Sequence, residues 1–140
     1  MNPAIQTARL TFRDFTVEDF DAVHEYASDP VVTRYTAFGP NTIEQTKGFL
    51  QLVSGESSQE DRANYSFALI HKQTNRLIGS CGLMRSSTSG PQYGFGYVLH
   101  KDWWRQGLAS EATTALIKFG FGELGAHRLW AHVFVGNTGS

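Results

Sequence analysis

The pattern between Tyr93 and Val135 limits the fold more than any other part of the chain. Tyr93 to Leu99 is an apolar, strand-like run, Leu108 to about Phe121 has helical spacing, and His127 to Val135 returns to strand. A helix that crosses between two strands of one sheet brings them parallel, with a right-handed connection. The helix is expected to bury Leu108, Ala112, Ala115 or Leu116, and Phe119, and Gly122 or Gly125 can end it.

The junction that opens this helix reads Trp103-Trp104-Arg105-Gln106-Gly107-Leu108-Ala109-Ser110-Glu111-Ala112. The first N–H groups of a helix have no intrahelical partner, and the helix dipole places partial positive charge there. Arg105 adds a full charge, and neither Gly107 nor Ala109 has bulk to keep a ligand from the main chain. The stretch therefore reads as an anion cradle for a phosphate or pyrophosphate. The same spacing also describes an ordinary strand-to-helix turn. Two other phosphate motifs are excluded. No Gly-x-x-x-x-Gly-Lys-Ser/Thr run exists, and Gly94-Phe95-Gly96 lacks the third glycine of a dinucleotide fold.

Upstream, Ala8 to Phe15 alternates, with Leu10, Phe12 and Asp14 on one side and Arg9, Thr11 and Arg13 on the other, as in a half-buried strand. Thr16 and Asp19 have near-capping-box spacing and open a helix to about Ala27 that buries Phe20, Val23 and Ala27; Asp29-Pro30 stops it. Val31 to Pro40 carries Arg34, Tyr35 and Phe38 without a period. These read either as substrate contacts on a loop or as plugs beneath the core. Thr42 and Gln45 cap a second helix with Ile43, Phe49, Leu50 and Val53 on its apolar face, and Ser54 to Asp61 reads as a surface loop. Tyr65–Ile70 and Leu77–Met84 form a hairpin around Lys72–Asn75, and a second turn at Ser86–Pro91 leads to Tyr93. The sheet is thus mixed, antiparallel first and parallel at its end.

With 140 residues, 41% hydrophobic and 18% charged, the chain has the size and composition of one globular domain. A net charge of -1 offers no basic field for nucleic acid as the main partner. The apolar runs are too short to span a bilayer, and Met1-Asn2-Pro3-Ala4 does not open a signal peptide. Cys81, the single cysteine, forms no internal disulfide and reads as a small core residue in a cytoplasmic protein. His127 and His132 face opposite sides of one strand. In the His24-Glu25 run, Ser28 takes the place of a second zinc-protease histidine, so no metal site is expected. No Gly-x-Ser-x-Gly elbow is present. Trp103 and Trp104, without a basic groove, read as cover for core or cofactor.

Phe95-Gly96-Tyr97-Val98-Leu99, the Trp103–Ala112 stretch and Asn137-Thr138-Gly139-Ser140 together resemble the GNAT superfamily of N-acetyltransferases. Arg9–Arg13 with Glu18-Asp19, and Asp29-Pro30 through Tyr35, resemble its Rim-like branch, which acetylates ribosomal-protein N-termini and other amines. The resemblance spans nearly the whole chain. It implies a single α+β domain over residues 1–140, three-layered, with a mixed, mostly antiparallel sheet and a parallel βαβ unit at an acetyl-CoA site. It implies that backbone groups of Val98, Leu99 and His100 bind the pantetheine arm, and that the loop from Trp104 through Arg105, Gln106, Gly107, Leu108, Ala109 and Ser110 holds the pyrophosphate by its amides. Asn137 and Ser140 match an Asn-x-x-Ser signature near the thioester. The implied reaction is direct attack of a neutral amine, a protein N-terminus or a small molecule, on acetyl-CoA. Backbone N–H groups near Val98 hold the oxyanion, and Ser140 returns a proton to the thiolate.

Three departures stand out. Trp104 occupies the place where the family's pyrophosphate motif begins with Gln or Arg, a residue the Rim-like branch often lacks. Gly94 stands where many relatives carry a glutamate base, which leaves Tyr93, His71 and His100 as candidates; Tyr93 and Ser140 are the residues expected to be catalytic. The sequence also stops at Ser140, where relatives continue with a helix and a strand, so the domain is expected to be C-terminally truncated or completed by a partner chain. A homodimer is one way to cover the exposed edge at His127–Val135. The alternative function is a non-catalytic acyl-CoA-binding or interaction module of the same fold.

Overall fold

Alternating burial along the strands sets the sheet and its two faces. The computed structural model describes residues 5–35, 39–57, 64–85, 92–126 and 128–131. Among them the sheet contains β1 (Ile5–Gln6), β2 (Leu10–Asp14), β3 (Asn64–His71), β4 (Arg76–Arg85), β5 (Gln92–Leu99) and β6 (Arg128–Ala131), side by side in chain order. Each pair through β4–β5 is antiparallel. β5 and β6 are parallel, with Gln92 opposite Arg128 and Phe95 opposite Ala131. The helix α3 (Leu108–Gly122) makes the crossover, as the strand–helix–strand pattern predicts.

Leu10 and Phe12 of β2 point to the face covered by α3, where Leu108, Ala112, Leu116 and Phe119 meet Phe67, Leu69 and Leu83. Phe119 meets Phe67 edge-on, with ring centroids 5.6 Å apart. Burying each such side chain contributes about 1.5–3 kcal/mol. On the other face α1 (Phe20–Ala27) and α2 (Ile43–Ser57) pack Val23, Tyr26, Ala27, Leu50 and Val53 against Ala68 and Val98. Helices on both faces make the three-layer α+β arrangement with a mixed sheet that the sequence predicts. No helix among the described residues is long and apolar enough to cross a membrane.

Local chemistry explains most boundaries. Asp19 accepts a hydrogen bond from the Thr16 amide at 2.9 Å and from two Arg13 nitrogens at 2.8 Å each, fixing the entry into a short 3-10 turn and then α1. Gln45 accepts from the Thr42 amide at 2.8 Å while Thr42 Oγ1 accepts from the Gln45 amide at 3.2 Å, the reciprocal cap the sequence predicts.

Several expectations change. Ile43 is 51% exposed, and α2 instead buries Thr46, whose hydroxyl lies 2.8 Å from His24 Nδ1. Buried Tyr26 joins the α1 face, and Phe20 is only half-buried. Ser54–Ser57 continues α2 rather than forming a loop. β1 lacks a sequence signal because two residues show no period. The turn expected at Ser86–Pro91 lies outside the described residues.

Candidate functional site

After Leu99 the chain takes one 3-10 turn, Lys101–Trp103, and reaches α3 through a loop with two left-handed residues. Arg105 has φ +61° and Gly107 φ +80°, and Gly107 is the N-cap. Glycine accepts this conformation without the penalty that a side chain incurs. The Trp103 and Trp104 amides bond back to the carbonyls of His100 and Lys101, and the Glu111 amide opens the helical series on Gly107 at 3.1 Å. Between these anchors, the backbone N–H groups of Arg105, Gln106, Gly107, Leu108, Ala109 and Ser110 meet no acceptor among the described residues. Six consecutive donors at a helix start, with no acceptor among the described residues and with the cationic Arg105 in the run, are chemically suited to an anion. Side chains at Arg105, Gln106 and Ser110 are exposed, Ala109 is half-buried, and Leu108 anchors the helix in the core.

A second group of residues, missed in the sequence, holds this loop from behind. Arg9 Nε donates to Glu111 Oε1 at 2.8 Å, the Arg9 amide to Glu111 Oε2 at 2.8 Å, and Arg9 Nη1 to the Gln106 carbonyl at 2.8 Å. The Thr7 hydroxyl also donates to Glu111 Oε2. Burial pushes the Glu111 carboxyl up, but the hydrogen bonds from Thr7 and Arg9 outweigh it and hold the group below its ordinary value. Arg9 and Glu111 are 102 positions apart, and no local pattern links them.

The three residues expected to supply backbone groups behave differently from one another. The Val98 carbonyl is turned to β4, so that a Cβ on Gly79 would lie 2.1 Å from it. The His100 amide donates to Ile78 at 2.7 Å, also in β4. Leu99 faces the other way, as alternation in an antiparallel ladder requires, and its carbonyl accepts from Trp104 Nε1 at 2.8 Å. Gly96 to Leu99 have no β6 partner among the described residues. The Leu99 backbone groups thus face away from β4, on the β6 side of β5.

The His100 ring is committed too. Its Nδ1 accepts from the Asp102 amide at 3.1 Å, which places the proton on Nε2, 3.1 Å from Glu25 Oε1. With the Lys101–Asp29 ion pair at 3.1 Å, this fastens the end of α1 to the loop after β5. His71 is engaged with Thr74 at 3.1 Å and packs on Trp103. Tyr93, expected as a catalytic candidate, is 5% exposed and belongs to the core under α3. Its burial among apolar neighbours gives it a packing role. Arg34 is exposed on a 3-10 turn, Val32–Tyr35, just past Asp29. The Tyr35 side chain, Phe38, Asn137 and Ser140 lie outside the described residues. Cys81 is buried, and burial pushes its thiol well up.

Comparison with known proteins places this geometry. Residues 9–140 match the acetyltransferase (GNAT) domain. An uncharacterized N-acetyltransferase of Bacillus licheniformis is 37% identical over 97% of the chain and 76% of its own length. The crystal structure of a GNAT-family acetyltransferase from Bacillus anthracis, 33% identical, superposes with a TM-score of 0.76 over 92% of this chain and 72% of that one. A ribosomal-protein-S5-alanine acetyltransferase from Vibrio fischeri, 14% identical, shares the fold with a TM-score of 0.78 over 98% of this chain and 77% of that one. The chain belongs to the GNAT family of N-acetyltransferases.

Proposed function

We propose that the chain transfers the acetyl group of acetyl-CoA to a primary amine, a protein N-terminus or a small molecule, by direct attack on the thioester. The observation that carries this reading is the run of free backbone donors from Arg105 to Ser110 at the start of α3. A diphosphate needs several N–H donors and positive charge, and this loop carries six amides with no acceptor among the described residues together with Arg105. Gly107 supplies the left-handed turn, φ +80°, that carries the loop into α3. The coenzyme supplies an activated acyl group.

The chain's own residues would bind and orient it. The Arg105–Ser110 amides hold the diphosphate, the exposed Trp104 indole flanks it, and the Leu99 amide, which faces away from β4, aligns the arm. Asn137 and Ser140 are assigned to the thioester end, with Ser140 returning a proton to the leaving sulfur. The acceptor amine is assigned to Arg34, Tyr35 and Phe38; Asp29, upstream of Arg34, pairs with Lys101 just after β5 at 3.1 Å.

Titration calorimetry with CoA tests the binding half, and thiol release with a panel of amines tests the chemistry. The reading expects saturable binding and turnover with at least one amine. Turnover excludes a non-catalytic acyl-CoA-binding module. No CoA binding by folded protein overturns the proposal.

A further inference from the structure

We propose that Arg9 is a positioning residue of the diphosphate loop, anchored by Glu111 and Thr7. This rests on the function proposed above and extends the site to the corner between β1 and β2. The Arg9 backbone lies in the bend between β1 and β2 and is tied to the residue after β3, its carbonyl accepting from the Lys72 amide at 2.9 Å. Its guanidinium reaches out from there to two parts of the cradle, Glu111 in the first turn of α3 and the Gln106 carbonyl in the loop.

The second bond sets a direction. The Gln106 carbonyl and the Gly107 N–H belong to one planar trans peptide and point opposite ways. Holding that oxygen against Arg9 turns the Gly107 N–H away from Arg9 and leaves it available to a ligand on the other side. The third guanidinium nitrogen, Nη2, lies 3.3 Å from where a Gly107 Cβ would be, so Arg9 lies directly against the loop.

Charge gives Arg9 a second task. A carboxylate in the first helical turn draws on the same positive field that an incoming diphosphate needs. Glu111 is instead turned to the corner, where Thr7 and both the amide and guanidinium of Arg9 satisfy it. An isolated ion pair as exposed as Arg9, at 43%, would contribute little. This one is part of a wider hydrogen-bonded network, with Glu111 only 18% exposed and the Gln106 carbonyl fixed as well.

The test is titration of wild type, Arg9→Ala, Arg9→Lys, Glu111→Gln and the Arg9→Ala/Glu111→Gln double variant with CoA, dephospho-CoA and pantetheine, with thermal unfolding recorded for each. Arg9→Ala should weaken CoA and dephospho-CoA about tenfold, the effect of losing a charged hydrogen bond at a half-exposed site, and leave pantetheine unchanged. Arg9→Lys, which cannot reach both acceptors, should restore less than half of that loss. The double variant should bind CoA more tightly than Arg9→Ala, because the unmasked carboxylate is gone. If Arg9→Ala does not fold, Arg9→Lys decides: a selective loss of CoA over pantetheine supports the role, and an equal loss overturns it. Wild-type affinity in Arg9→Ala, or an equal loss for all three ligands, overturns the proposal. Failure of the wild type to bind CoA removes the proposed function and this role with it.

Discussion

Trp104 Nε1 donates to the carbonyl of Leu99 at 2.8 Å, joining the last residue of β5 to the first residue of the anion loop. The indole is fixed at one edge yet 41% exposed. A large aromatic side chain thus stands between the end of β5 and the start of α3. Trp104→Ala should lower CoA affinity about tenfold, through loss of one hydrogen bond and of an aromatic contact. Trp104→Phe, which keeps an aromatic side chain and loses the bond, should fall between. Calorimetry on both variants checks the order.

Gly107→Ala separates binding from stability. At φ +80° an L-residue costs about 1–2 kcal/mol, and the new Cβ would press on Arg9 Nη2 at 3.3 Å. Thermal unfolding should shift modestly, whereas CoA affinity should drop by about tenfold or more because the loop no longer presents its amides together. Equal CoA affinity in the variant would contradict this.

Acid should destabilise the protein through two identified carboxylates. Burial raises Asp19, but Arg13 and the Thr16 amide hold it below its ordinary value, and Glu111 is lowered in the same manner by Thr7 and Arg9. A carboxyl lowered by folding contributes stability that is complete above its unfolded value of about 4 and is lost as pH falls through the lowered one. Unfolding temperature should therefore drop between about pH 4.5 and 2. Asp19→Asn and Glu111→Gln should each flatten the drop, and an unchanged profile in both would refute the assignment.

Cys81 is 5% exposed, and its thiol is pushed up by burial. It should react with a disulfide reagent only on unfolding, at a rate at least about a hundredfold slower in the native state, since the thiolate is the attacking species. Native and denatured time courses give the ratio. The protein thiol would then leave thiol-release assays undisturbed.

The strand–helix–strand unit, the hairpin and the Thr42–Gln45 cap were legible because their signals are local. Helical spacing, alternation and capping operate within a few residues. The start of α3 at Gly107 was legible for the same reason, since a glycine between strand and helix signals in the backbone. Arg9 was not. As the outward member of an alternating strand it resembles any solvated cation, and only the folded sheet brings it to Glu111. Thr46 was hidden likewise, because a polar residue on an apolar helix face becomes intelligible once His24 is seen beside it. The paired state of Val98 and His100 depends on which way the β4–β5 ladder alternates, which no residue type reveals.

The most direct measurement is a two-dimensional amide NMR titration with CoA. The amides of Arg105 to Ser110 should show the largest shifts, moving downfield as a group as they acquire an anionic acceptor, with Arg9 Nε following. If CoA binds while these six signals stay in place and others move, the main chain of this loop does not hold the diphosphate.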